Sequence, residues 1–478
     1  MDKRTKIVAT ISDRRCEVDF IRSLYDAGMN AVRINSAHVT PKSADRIVNN
    51  TRRVSESIAI IIDTKGPEVR VTRMAESCRD GIVVKLGDRV RLMGTDEDRE
   101  STPEVVFLNV ATVARDVPMG ASVLVDDGEI ELVVVEKGDD YLIGEVKNAG
   151  VIRSHKSVNI PGVQMDLPSI SERDRMFILW AIDRGLDFVA HSFVRTKEDV
   201  LAVKKIIKEH DSPMKIISKI ENKEGVDNLD KILPVTYGIM VARGDLGVEL
   251  PAEKIPVAQR LIVRKCIESK TPVIIATQML HSMISNPRPT RAEVSDIAGA
   301  VYERVDAIML SGETANGDYP VEAVSTMTRV AMEIERDNNH NMPLIDMNMV
   351  RINNEITAQL SRSAVRATLN LPVRAIVTDT LTGRTGRYLA AFRSHKPVYA
   401  FCYSKNVMRQ LALSYGVYAI HLEDDGSSRS FLPGLLAYLR EKRWLTQSDL
   451  VVVIGGSFGA ANGASFMNIG SAGNFEKI

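Results

Sequence analysis

Short apolar runs rich in β-branched residues alternate with helical segments along most of this 478-residue chain. Such runs, bounded by polar residues, are typical of parallel strands that are buried on both faces of a sheet. Eight runs precede a helical segment, and they occupy residues 5–11, 31–35, 58–63, 187–194, 215–222, 238–245, 272–278 and 306–313. Because polar residues end nearly every run, instead of collecting at one point of an open sheet, we predict a closed (β/α)8 barrel of the TIM type.

The segment between the third and fourth runs has a different character. From residue 68 to residue 161, short Val-rich runs follow one another closely, with Gly and Asp turns between them and no helical periodicity. This pattern is typical of a small antiparallel β-barrel or sandwich. Its place after strand three puts it at the edge where the polar strand ends meet, so we expect a lid domain there. The large barrel then comprises residues 1–67 and 162–337.

A second α/β unit follows the barrel. Residues 338–349 break the alternation and indicate a linker. Residues 350–478 resume it, which predicts a C-terminal α/β domain with a mainly parallel sheet. In this domain the segment TLTGRTGR, from Thr380 to Arg387, places hydroxyls, glycines and arginines ahead of a helix. Such a loop can bind phosphate at the helix N-terminus, and an ordinary Gly-containing turn explains it equally well.

Composition argues against several classes of protein. Lys plus Arg equals Asp plus Glu at 62 each, so a nucleic-acid groove or a membrane surface is not the expected main partner. No window is apolar and long enough for a transmembrane helix, and the first residues lack the pattern of a signal peptide. The four cysteines are scattered and form no CxxC pair, which is typical of reduced structural thiols. We therefore expect a cytoplasmic protein.

Two consecutive predicted strands end in charged residues. The first leads into Lys219 and Glu221, and the second leads into Arg243 and Asp245. Because parallel strands end at the same edge of a barrel, we expect Lys219, Glu221 and Asp245 to converge there. Two carboxylates suit Mg²⁺, which takes few protein oxygens, and a nearby lysine suits a developing negative charge. The alternative is a pair of ordinary surface salt bridges that happen to follow strands.

Six longer motifs resemble those of the pyruvate kinase family and appear in the family's order. They are DTKGPE at 63–68, ISKIEN at 217–222, MVARGDLG at 240–247, ATQML at 276–280, NPRPTRAE at 286–293 and MLSGET at 309–314. The resemblance covers essentially the whole chain. It implies a catalytic barrel, a lid, a C-terminal effector domain and a homotetramer. It also implies transfer of a phosphoryl group from phosphoenolpyruvate to ADP, followed by protonation of the enolate to give pyruvate and ATP.

The resemblance implies roles for the residues at the strand ends. Glu221 and Asp245 match the family's Mg²⁺ (or Mn²⁺) ligands, and Lys219 matches the lysine that faces the transferring phosphoryl group. The amides of Gly244 and Asp245 match those that hold the substrate carboxylate. Thr277 matches a hydroxyl near the enolate carbon, where we expect it to act through water.

Other matched residues surround this group. Arg33 is expected to hold the substrate phosphate, against the alternative of an ion-paired arginine at the barrel mouth. Arg70 and Lys156 match positions that reach the nucleotide phosphates, and His38 lies near them by resemblance. Alone, His38 would be an ordinary surface histidine. We interpret Ser311 and Glu313, at the end of strand eight, as support for the site.

A monovalent cation site is also implied. Potassium-dependent members of the family carry a glutamate after the Gly-Pro of the strand-three motif, and Glu68 matches it. The implied K⁺ ligands are Asn35, Asp63 and the carbonyl of Thr64.

The fourth K⁺ ligand departs from the family pattern. The usual Asn-x-Ser-His reads Asn35-Ser36-Ala37-His38, so Ala37 replaces the serine that supplies a hydroxyl. Ser36 is one residue away, and on a regular strand it would point to the opposite face. We expect K⁺ activation with weaker binding than a four-ligand site gives.

The C-terminal loop carries the implied effector site. Its candidate residues are Thr380, Thr382, Gly383, Arg384 and Thr385. A later loop, residues 455–463 (GGSFGAANG), has no Arg or Lys to hold a second phosphate. We therefore expect a monophosphate effector or none, rather than fructose 1,6-bisphosphate.

The residues alone leave two other functions open. A Mg²⁺-dependent aldolase or lyase would also place a Glu, an Asp and an Arg around an enolate, but it explains neither the lid nor Lys219. A non-catalytic metabolite sensor predicts loss of Lys219, Glu221 or Asp245, and all three are present.

Overall fold

The chain begins with the first strands of the barrel. The computed structural model describes residues 3–163, 165, 167–341, 347–421, 431–456 and 463–475. The first elements are β1 (Lys6–Thr10), α1 (Val18–Asp26), β2 (Ala31–Asn35), α2 (Pro41–Val54) and β3 (Ala59–Asp63). Gly28 lies just beyond α1 with φ +117°, a conformation that glycine adopts without strain, so the helix ends there.

A mainly β insertion, which contains one short α-helix, follows β3. Its elements are β4 (Val69–Arg70), β5 (Ile82–Val84), β6 (Arg89–Gly94), β7 (Val106–Leu108), α3 (Val113–Asp116), β8 (Ser122–Val125), β9 (Ile130–Lys137), β10 (Tyr141–Val146), β11 (Gly150–Ile152) and β12 (Ser157–Asn159). Seven strands form one sheet in the order β4-β12-β8-β9-β10-β6-β7. A bridge between Val71 and Leu108 joins its two outer strands, so the sheet closes as a small barrel. The expectation of purely antiparallel strands is wrong, because β6 and β7 pair in parallel.

The chain then returns to the barrel. The elements are α4 (Glu172–Asp183), β13 (Phe188–His191), α5 (Lys197–Glu209), β14 (Lys215–Ile220), α6 (Lys223–Asp227), α7 (Leu229–Ile232), β15 (Gly238–Ala242), α8 (Arg243–Glu249), α9 (Ile255–Glu268), β16 (Val273–Ala276), α10 (Arg291–Tyr302), β17 (Ala307–Leu310), α11 (Gly312–Ala315) and α12 (Pro320–Asn341). The sequence predicted neither α8 nor α11 as a separate helix. The predicted linker of residues 338–349 is wrong in its first part, because α12 continues to Asn341.

The eight strands β1, β2, β3, β13, β14, β15, β16 and β17 form a closed barrel in chain order, as predicted. All neighbouring pairs are parallel, and β17 closes the barrel against β1. Alternate side chains, such as Ile61, Phe188 and Met240, fill the interior. The others pack outward against the helices. The strands are therefore buried on both faces, which explains why they read as continuous apolar runs.

A C-terminal α/β unit completes the described chain. Its elements are α13 (Ile356–Asn370), β18 (Val373–Thr380), α14 (Arg384–Ala391), β19 (Val398–Cys402), α15 (Lys405–Leu411), β20 (Val417–His421), α16 (Phe431–Glu441), β21 (Leu450–Gly455), β22 (Phe466–Ser471) and α17 (Ala472–Phe475). The sheet order is β20-β19-β18-β21-β22. It is mainly parallel, as predicted, but β22 pairs antiparallel with β21 and was missed in the sequence.

Buried ion pairs join the C-terminal unit to the amino edge of the barrel. Arg393 forms two hydrogen bonds to the carboxylate of Asp306, and Arg409 contacts Asp187 at 2.5 Å. Within the described residues, no helix is long and apolar enough to cross a membrane.

Candidate active site

Two consecutive strands bring a lysine and two carboxylates to the carboxyl edge of the barrel. Lys219 is the penultimate residue of β14, Glu221 follows that strand directly, and Asp245 lies in the first turn of α8 after β15. The Nζ atom of Lys219 lies 2.9 Å from Oε1 of Glu221. Both side chains are buried, so the contact is shielded from water. Strand ends that were matched only by sequence pattern are therefore neighbours in space.

Asp63 connects this pair to Arg33. Asp63 ends β3, and its Oδ1 lies 3.1 Å from Nζ of Lys219, while its Oδ2 accepts a hydrogen bond from Nε of Arg33 at 2.5 Å. Arg33 also donates from Nη1 to the Thr10 hydroxyl at 3.1 Å. Its Nη2 has no hydrogen-bond partner among the described residues. The guanidinium is thus fixed in place with its outer nitrogen still available to an anion.

These contacts fix the protonation states. Burial lowers the pKa of Lys219, but the carboxylates of Asp63 and Glu221 outweigh burial and raise that pKa above its ordinary value. Burial raises the pKa of Asp63, but Arg33 and Lys219 outweigh it and hold that pKa below its ordinary value. Lys219 and Asp63 are therefore charged at neutral pH.

Glu221 is in a different position from Asp63. Burial raises the pKa of Glu221 to about 7, with Lys219 acting against the rise and Asp245 adding to it. Asp245 is half-buried, and its carboxylate has no hydrogen bond or ion pair to a described residue. Among the described residues, Asp245 therefore has no cationic partner, and Glu221 shares the Lys219 ammonium with Asp63.

This donor set fits a divalent metal ion. Glu221 and Asp245 line the same cavity, and an ion between them would offset the burial, and the smaller repulsion from Asp245, that raise the pKa of Glu221. Among the described residues, no group of three or more His, Cys, Asp or Glu side chains is arranged to hold a metal. Two carboxylates with the remaining positions left to substrate and water are typical of Mg²⁺ rather than of a structural site.

Ser192 organises the site and was missed in the sequence analysis. It follows β13 directly, and its hydroxyl accepts a hydrogen bond from Nζ of Lys219 at 2.7 Å. The same hydroxyl donates to the carbonyl of Thr64 at 2.6 Å, so it joins the ends of three strands. Its position as a polar residue after a buried strand was the available signal.

Phe193 and Thr277 flank the site, and both have a positive φ although neither is glycine. Phe193 has φ 53°, and its amide donates to Oε2 of Glu221 at 2.7 Å. Thr277, directly after β16, has φ 70° although it is β-branched. Such conformations cost roughly 1–3 kcal/mol each and cluster at functional sites. The strained backbone therefore indicates a functional role for both residues.

Thr277 lies against the start of α8. Its hydroxyl accepts a hydrogen bond from the amide of Gly244 at 2.8 Å and donates to the carbonyl of Ala276 at 2.6 Å. Arg243 donates to the carbonyl of Thr277 at 2.7 Å and pairs with Asp296 at 2.7 Å. In this structure the Gly244 amide is thus engaged by Thr277, the residue that was matched to the enolate end of the substrate.

The inserted β-barrel and the large barrel enclose a cavity of about 330 Å³ between them. Asp127 and Ser157 line it from the insertion, and Glu221, Glu249 and Asp245 line it from the large barrel. The insertion therefore covers the carboxyl edge, where a lid was expected.

The three residues matched to the nucleotide are not among the lining residues of this cavity, although Arg70 and Lys156 adjoin Val69 and Ser157, which line it. Arg70 pairs with Glu68 at 2.6 Å and Lys156 pairs with Asp126 at 2.7 Å, so both cations are engaged within or beside the insertion. His38 is exposed in the turn after β2.

Buried carboxylates hold the loops of this edge. Oδ1 of Asp174, in α4, accepts a hydrogen bond from the amide of Lys65 at 2.8 Å and so anchors the DTKGPE segment. Glu313 accepts hydrogen bonds from the amides of Leu280 and Ser311. Glu313 thus joins the end of β17 to the loop after β16, and its supporting role stays a prediction. The Ser311 hydroxyl is buried without a partner among the described residues.

The implied K⁺ ligands lie close together around the end of β2. The amide of Ser36 donates to the carbonyl of Asp63 at 3.0 Å, and Oδ1 of Asn35 accepts from the amide of Ala37 at 3.0 Å. The strand ends at Asn35 and a turn follows, so strand alternation does not decide where Ser36 points, contrary to our premise. The Ser36 hydroxyl is fully buried and has no hydrogen-bond partner among the described residues. An oxygen without a partner therefore lies beside these ligands.

The candidate effector loop turns tightly before α14. Gly383 has φ 78°, and its amide donates to the Thr380 hydroxyl at 2.9 Å. Thr380 and Thr385 are buried, whereas Thr382 and Arg384 are exposed. The later loop at 455–463 lies largely outside the described residues.

Comparisons with known proteins agree with this geometry. The family profile "Pyruvate kinase, barrel domain" matches residues 2–324, and "Pyruvate kinase, alpha/beta domain" matches residues 358–469. The pyruvate kinase of Borreliella burgdorferi is 45% identical over 98% of this chain and 97% of its own. That of Geobacillus stearothermophilus is 41% identical over 95% of this chain and 78% of its own.

The solved structures give the same result. The crystal structure of a pyruvate kinase from Cryptosporidium parvum superimposes with a TM-score of 0.91 at 34% identity, covering 98% of this chain and 96% of that one. These similarities support neither the aldolase or lyase nor the non-catalytic sensor. The chain belongs to the pyruvate kinase family.

Proposed function

We propose that the carboxyl edge of the barrel performs the family's reaction, with Lys219 as the residue that stabilises the transferring phosphoryl group. The reaction takes phosphoenolpyruvate and ADP to pyruvate and ATP, the last step of glycolysis, and the family requires a divalent metal and a monovalent cation. The observation that carries the proposal is the Lys219 ammonium, held charged by Asp63 and Glu221 at the edge of a covered cavity.

Phosphoryl transfer depends mainly on positioning and charge neutralisation, and Lys219 supplies both. Oxygens of Asp63, Glu221 and Ser192 lie within 3.1 Å of its ammonium, so its charge is held in position and acts on the phosphoryl group through space. A preorganised charge of this kind stabilises the transition state more than the ground state, because no reorganisation is needed when charge moves.

Arg33 binds the phosphate of phosphoenolpyruvate in this proposal. Asp63 and Thr10 already hold two of its nitrogens, and Nη2 is left for the substrate. Since the guanidinium is planar and fixed, it orients the phosphate as well as attracting it.

Glu221 and Asp245 hold Mg²⁺ or Mn²⁺. Bound there, the ion would supply positive charge to the substrate's phosphoryl and enolate oxygens. The amides of Gly244 and Asp245, at the start of α8, receive the substrate carboxylate once Thr277 releases the first of them. The Thr277 hydroxyl then lies beside the enolate end and passes a proton through water.

The insertion, residues 68–161, acts as the lid over the barrel formed by 1–67 and 162–337. Arg70 and Lys156 exchange their present partners, Glu68 and Asp126, for the phosphates of ADP, and His38 acts beside them, as the resemblance implies. Because one anionic partner replaces another, each cation stays paired, and the exchange costs little electrostatic free energy. This suits a lid that must reopen.

The monovalent cation is K⁺, held by Asn35, Asp63, the carbonyl of Thr64 and the Ser36 hydroxyl. Ser36 supports this assignment because its buried oxygen has no partner among the described residues, and a buried oxygen without a partner is costly. Glu68 leaves a negative charge nearby.

The C-terminal domain, residues 350–478, carries the regulatory site. Its loop of Thr380, Thr382, Gly383, Arg384 and Thr385 takes one phosphate of a monophosphate effector. We further propose that the protein forms a homotetramer, which is the assembly that the family resemblance implies. We also propose a cytoplasmic location, which suits glycolysis and the four free cysteines.

The test is Lys219→Met, assayed with saturating metal. We expect kcat to fall about a hundredfold or more with little change in KM for phosphoenolpyruvate, because the ammonium acts mainly in the transition state. Lys231→Met, an exposed lysine on α7, is the control and should behave as the parent. A change confined to KM would show that Lys219 only binds substrate.

A further inference from the structure

The chain returns from the insertion to the large barrel through residues 160–170, which we call the return connector. Although most of it lies beyond the predicted end of the insertion, the side chains of Val163, Met165 and Leu167 pack against the hydrophobic core of the insertion. We expect a segment that shares a core with the insertion to move with it. The contacts between the return connector and the barrel therefore decide how the lid is held.

Arg195, on the loop after β13, holds the return connector from the side of the barrel. Its Nη1 donates to the carbonyl of Met165 at 3.1 Å, and its Nη2 donates to the carbonyl of Leu167 at 3.0 Å. Asp199 fixes Arg195 in turn, because it accepts from the Arg195 amide at 2.9 Å and lies 3.5 Å from Nη2. Since a guanidinium is planar, two bonds to carbonyls two residues apart fix the direction of the return connector as well as its distance.

The loop that carries Arg195 also contacts the candidate metal site. The amide of Phe193 donates to Oε2 of Glu221 at 2.7 Å. The amide of Val194 donates to the carbonyl of Lys219 at 3.3 Å. One short loop thus holds a candidate metal ligand through its backbone and the return connector through the side chain of Arg195.

The return connector also contacts the helix that carries the other candidate metal ligand. Burial raises the pKa of Glu249, at the end of α8, and the amide of Gly162 acts against that rise, so the two groups are in contact. Asp245 lies in the first turn of the same helix. Arg195 and Glu249 therefore tie the return connector to the two elements that present Glu221 and Asp245, and all four residues line the cavity under the insertion.

We propose that Arg195 is a positioning residue that holds the pivot of the lid. Through its two bonds to the return connector, it keeps the insertion in the orientation from which Arg70 and Lys156 reach the phosphates of ADP. The assignment rests on the proposed function, because it takes the insertion to be the lid over ADP. It adds one side chain of the barrel that acts on nucleotide affinity through the lid, without contacting the nucleotide.

The loop after β13 and helix α8 would be braced when Glu221 and Asp245 share a metal ion. The return connector that they hold then has fewer orientations to lose when Arg70 and Lys156 close on ADP. Preorganisation of this kind raises affinity, because less conformational entropy is lost on binding. Arg195 therefore links occupancy of the metal site to affinity for ADP.

Calorimetric titration of the full-length protein with Mg²⁺ present tests the proposal. Arg195→Met removes both donors and keeps a side chain of similar reach. We expect Kd for ADP to rise about tenfold, because two hydrogen bonds that hold the lid are lost. Kd for phosphoenolpyruvate should stay within twofold, since the loop still holds Glu221 and Lys219 through backbone amides. Arg195→Lys keeps one charged donor, and its Kd for ADP should rise only about threefold.

The matched control is Arg52→Met, at the amino edge of the barrel. Like Arg195, Arg52 pairs with a carboxylate, that of Asp187, and donates to a backbone carbonyl, that of Ile58. Its side chain is 19% exposed, against 22% for Arg195. The control should lower the melting temperature and leave Kd for ADP within twofold. An equal loss of ADP affinity in both variants would show a general effect of destabilisation and overturn the proposal.

Hydrogen exchange gives a readout that a loss of stability alone would not move. In the parent, Mg²⁺ with ADP should slow amide exchange in the return connector, and in Arg195→Met this slowing should disappear while that of the Phe193 amide remains. Equal slowing of the return connector in both proteins would refute the role of Arg195.

Two further outcomes separate this assignment from the proposed function. If the parent binds both substrates and Arg195→Met binds ADP as tightly as the parent does, the assignment of Arg195 fails and the proposed function stands. If the parent binds neither ADP nor phosphoenolpyruvate, the proposed function fails and the role of Arg195 fails with it.

Discussion

The two edges of the barrel both contain buried ion pairs, but the Asp306 carboxylate at the amino edge is fully hydrogen-bonded, whereas charged groups at the carboxyl edge are not. At the amino edge, Asp306 accepts hydrogen bonds from both Nη atoms of Arg393 and from the amides of Val273 and Tyr415. At the carboxyl edge, Nη2 of Arg33 and the carboxylate of Asp245 have no partner among the described residues.

This difference separates structural from functional charge. A carboxylate that already accepts four hydrogen bonds, as that of Asp306 does, holds two parts of the molecule together and has no acceptor position left for a ligand. A network with spare donors and acceptors retains attraction for a substrate. The contrast predicts that mutations at the amino edge change stability, whereas mutations at the carboxyl edge change rate.

The largest expected effect is at the carboxyl edge. Glu221→Gln and Asp245→Asn should each lower kcat/KM by about a thousandfold or more, roughly 4 kcal/mol, because metal charge stabilisation is lost. Steady-state kinetics at several Mg²⁺ concentrations measure this. The melting temperature should change little.

The matched control is Asp227→Asn, a carboxylate that lines the same cavity but is exposed and paired with Lys223. It should retain activity within about twofold, since surface pairs contribute about 0–1 kcal/mol. Near-normal activity of Glu221→Gln or Asp245→Asn at low Mg²⁺ would remove that residue from the metal site.

The next effect is at the amino edge. Asp306→Asn should destabilise the protein by about 3–5 kcal/mol, because it leaves Arg393 buried without its counter-charge. Denaturant unfolding measures this, and kcat and KM of the folded enzyme should stay unchanged. The double variant Asp306→Leu/Arg393→Met should lose less than Asp306→Asn alone. A large fall in kcat with intact stability would reverse the comparison.

A third prediction uses pH. His191, at the end of β13, is buried, and neither ring nitrogen has a hydrogen-bond partner among the described residues. Burial lowers its pKa to about 4, with Asp199 and Asp174 opposing and Lys219 and Arg195 adding to the shift. The unfolded chain therefore binds more protons than the folded one between about pH 6.5 and pH 4, and stability is lost as pH falls through that window.

At pH 5 this loss should amount to ~2 kcal/mol. In His191→Leu the titration is gone, so its free energy of unfolding relative to the parent should rise by that amount between pH 7.5 and pH 5. A difference that does not depend on pH would show that His191 is already protonated or hydrogen-bonded in the fold.

The smallest effect concerns the monovalent cation. Ala37→Ser restores a hydroxyl at the family's usual position, and it should lower the K⁺ concentration for half-activation about threefold, since one added oxygen ligand contributes roughly 0.5–1.5 kcal/mol. Ser36→Ala should raise that concentration. Full activity of the parent without K⁺ or Na⁺ would contradict the site, and so would an unchanged response in Ala37→Ser.

The barrel could be predicted because its information is local. Each strand end carries its own polar signal, and Lys219, Glu221 and Asp245 could be expected at one edge from parallel pairing alone. The contact of Asp63 with both Arg33 and Lys219 follows from the same rule, although no single segment of the sequence shows it.

Other features depend on contacts between distant segments. Ser192 matters because its hydroxyl contacts Lys219 on the neighbouring strand, and the sequence does not show that contact. Thr277 adopts a φ of 70°, which β-branched residues normally avoid, so its residue type does not predict this conformation. The turn that begins at Ser36 overturned an inference drawn from strand alternation.

The closure of β1 against β17 also sets the order of events during biosynthesis. Lys6 pairs with Ala307, and the Lys6 ammonium then contacts the carbonyl of Val417. At roughly 5–20 residues per second, a ribosome makes the partner strand about 15–60 s after β1. Through that interval one edge of β1 remains unpaired in the nascent chain, while the insertion, which has its own hydrophobic core, can already fold.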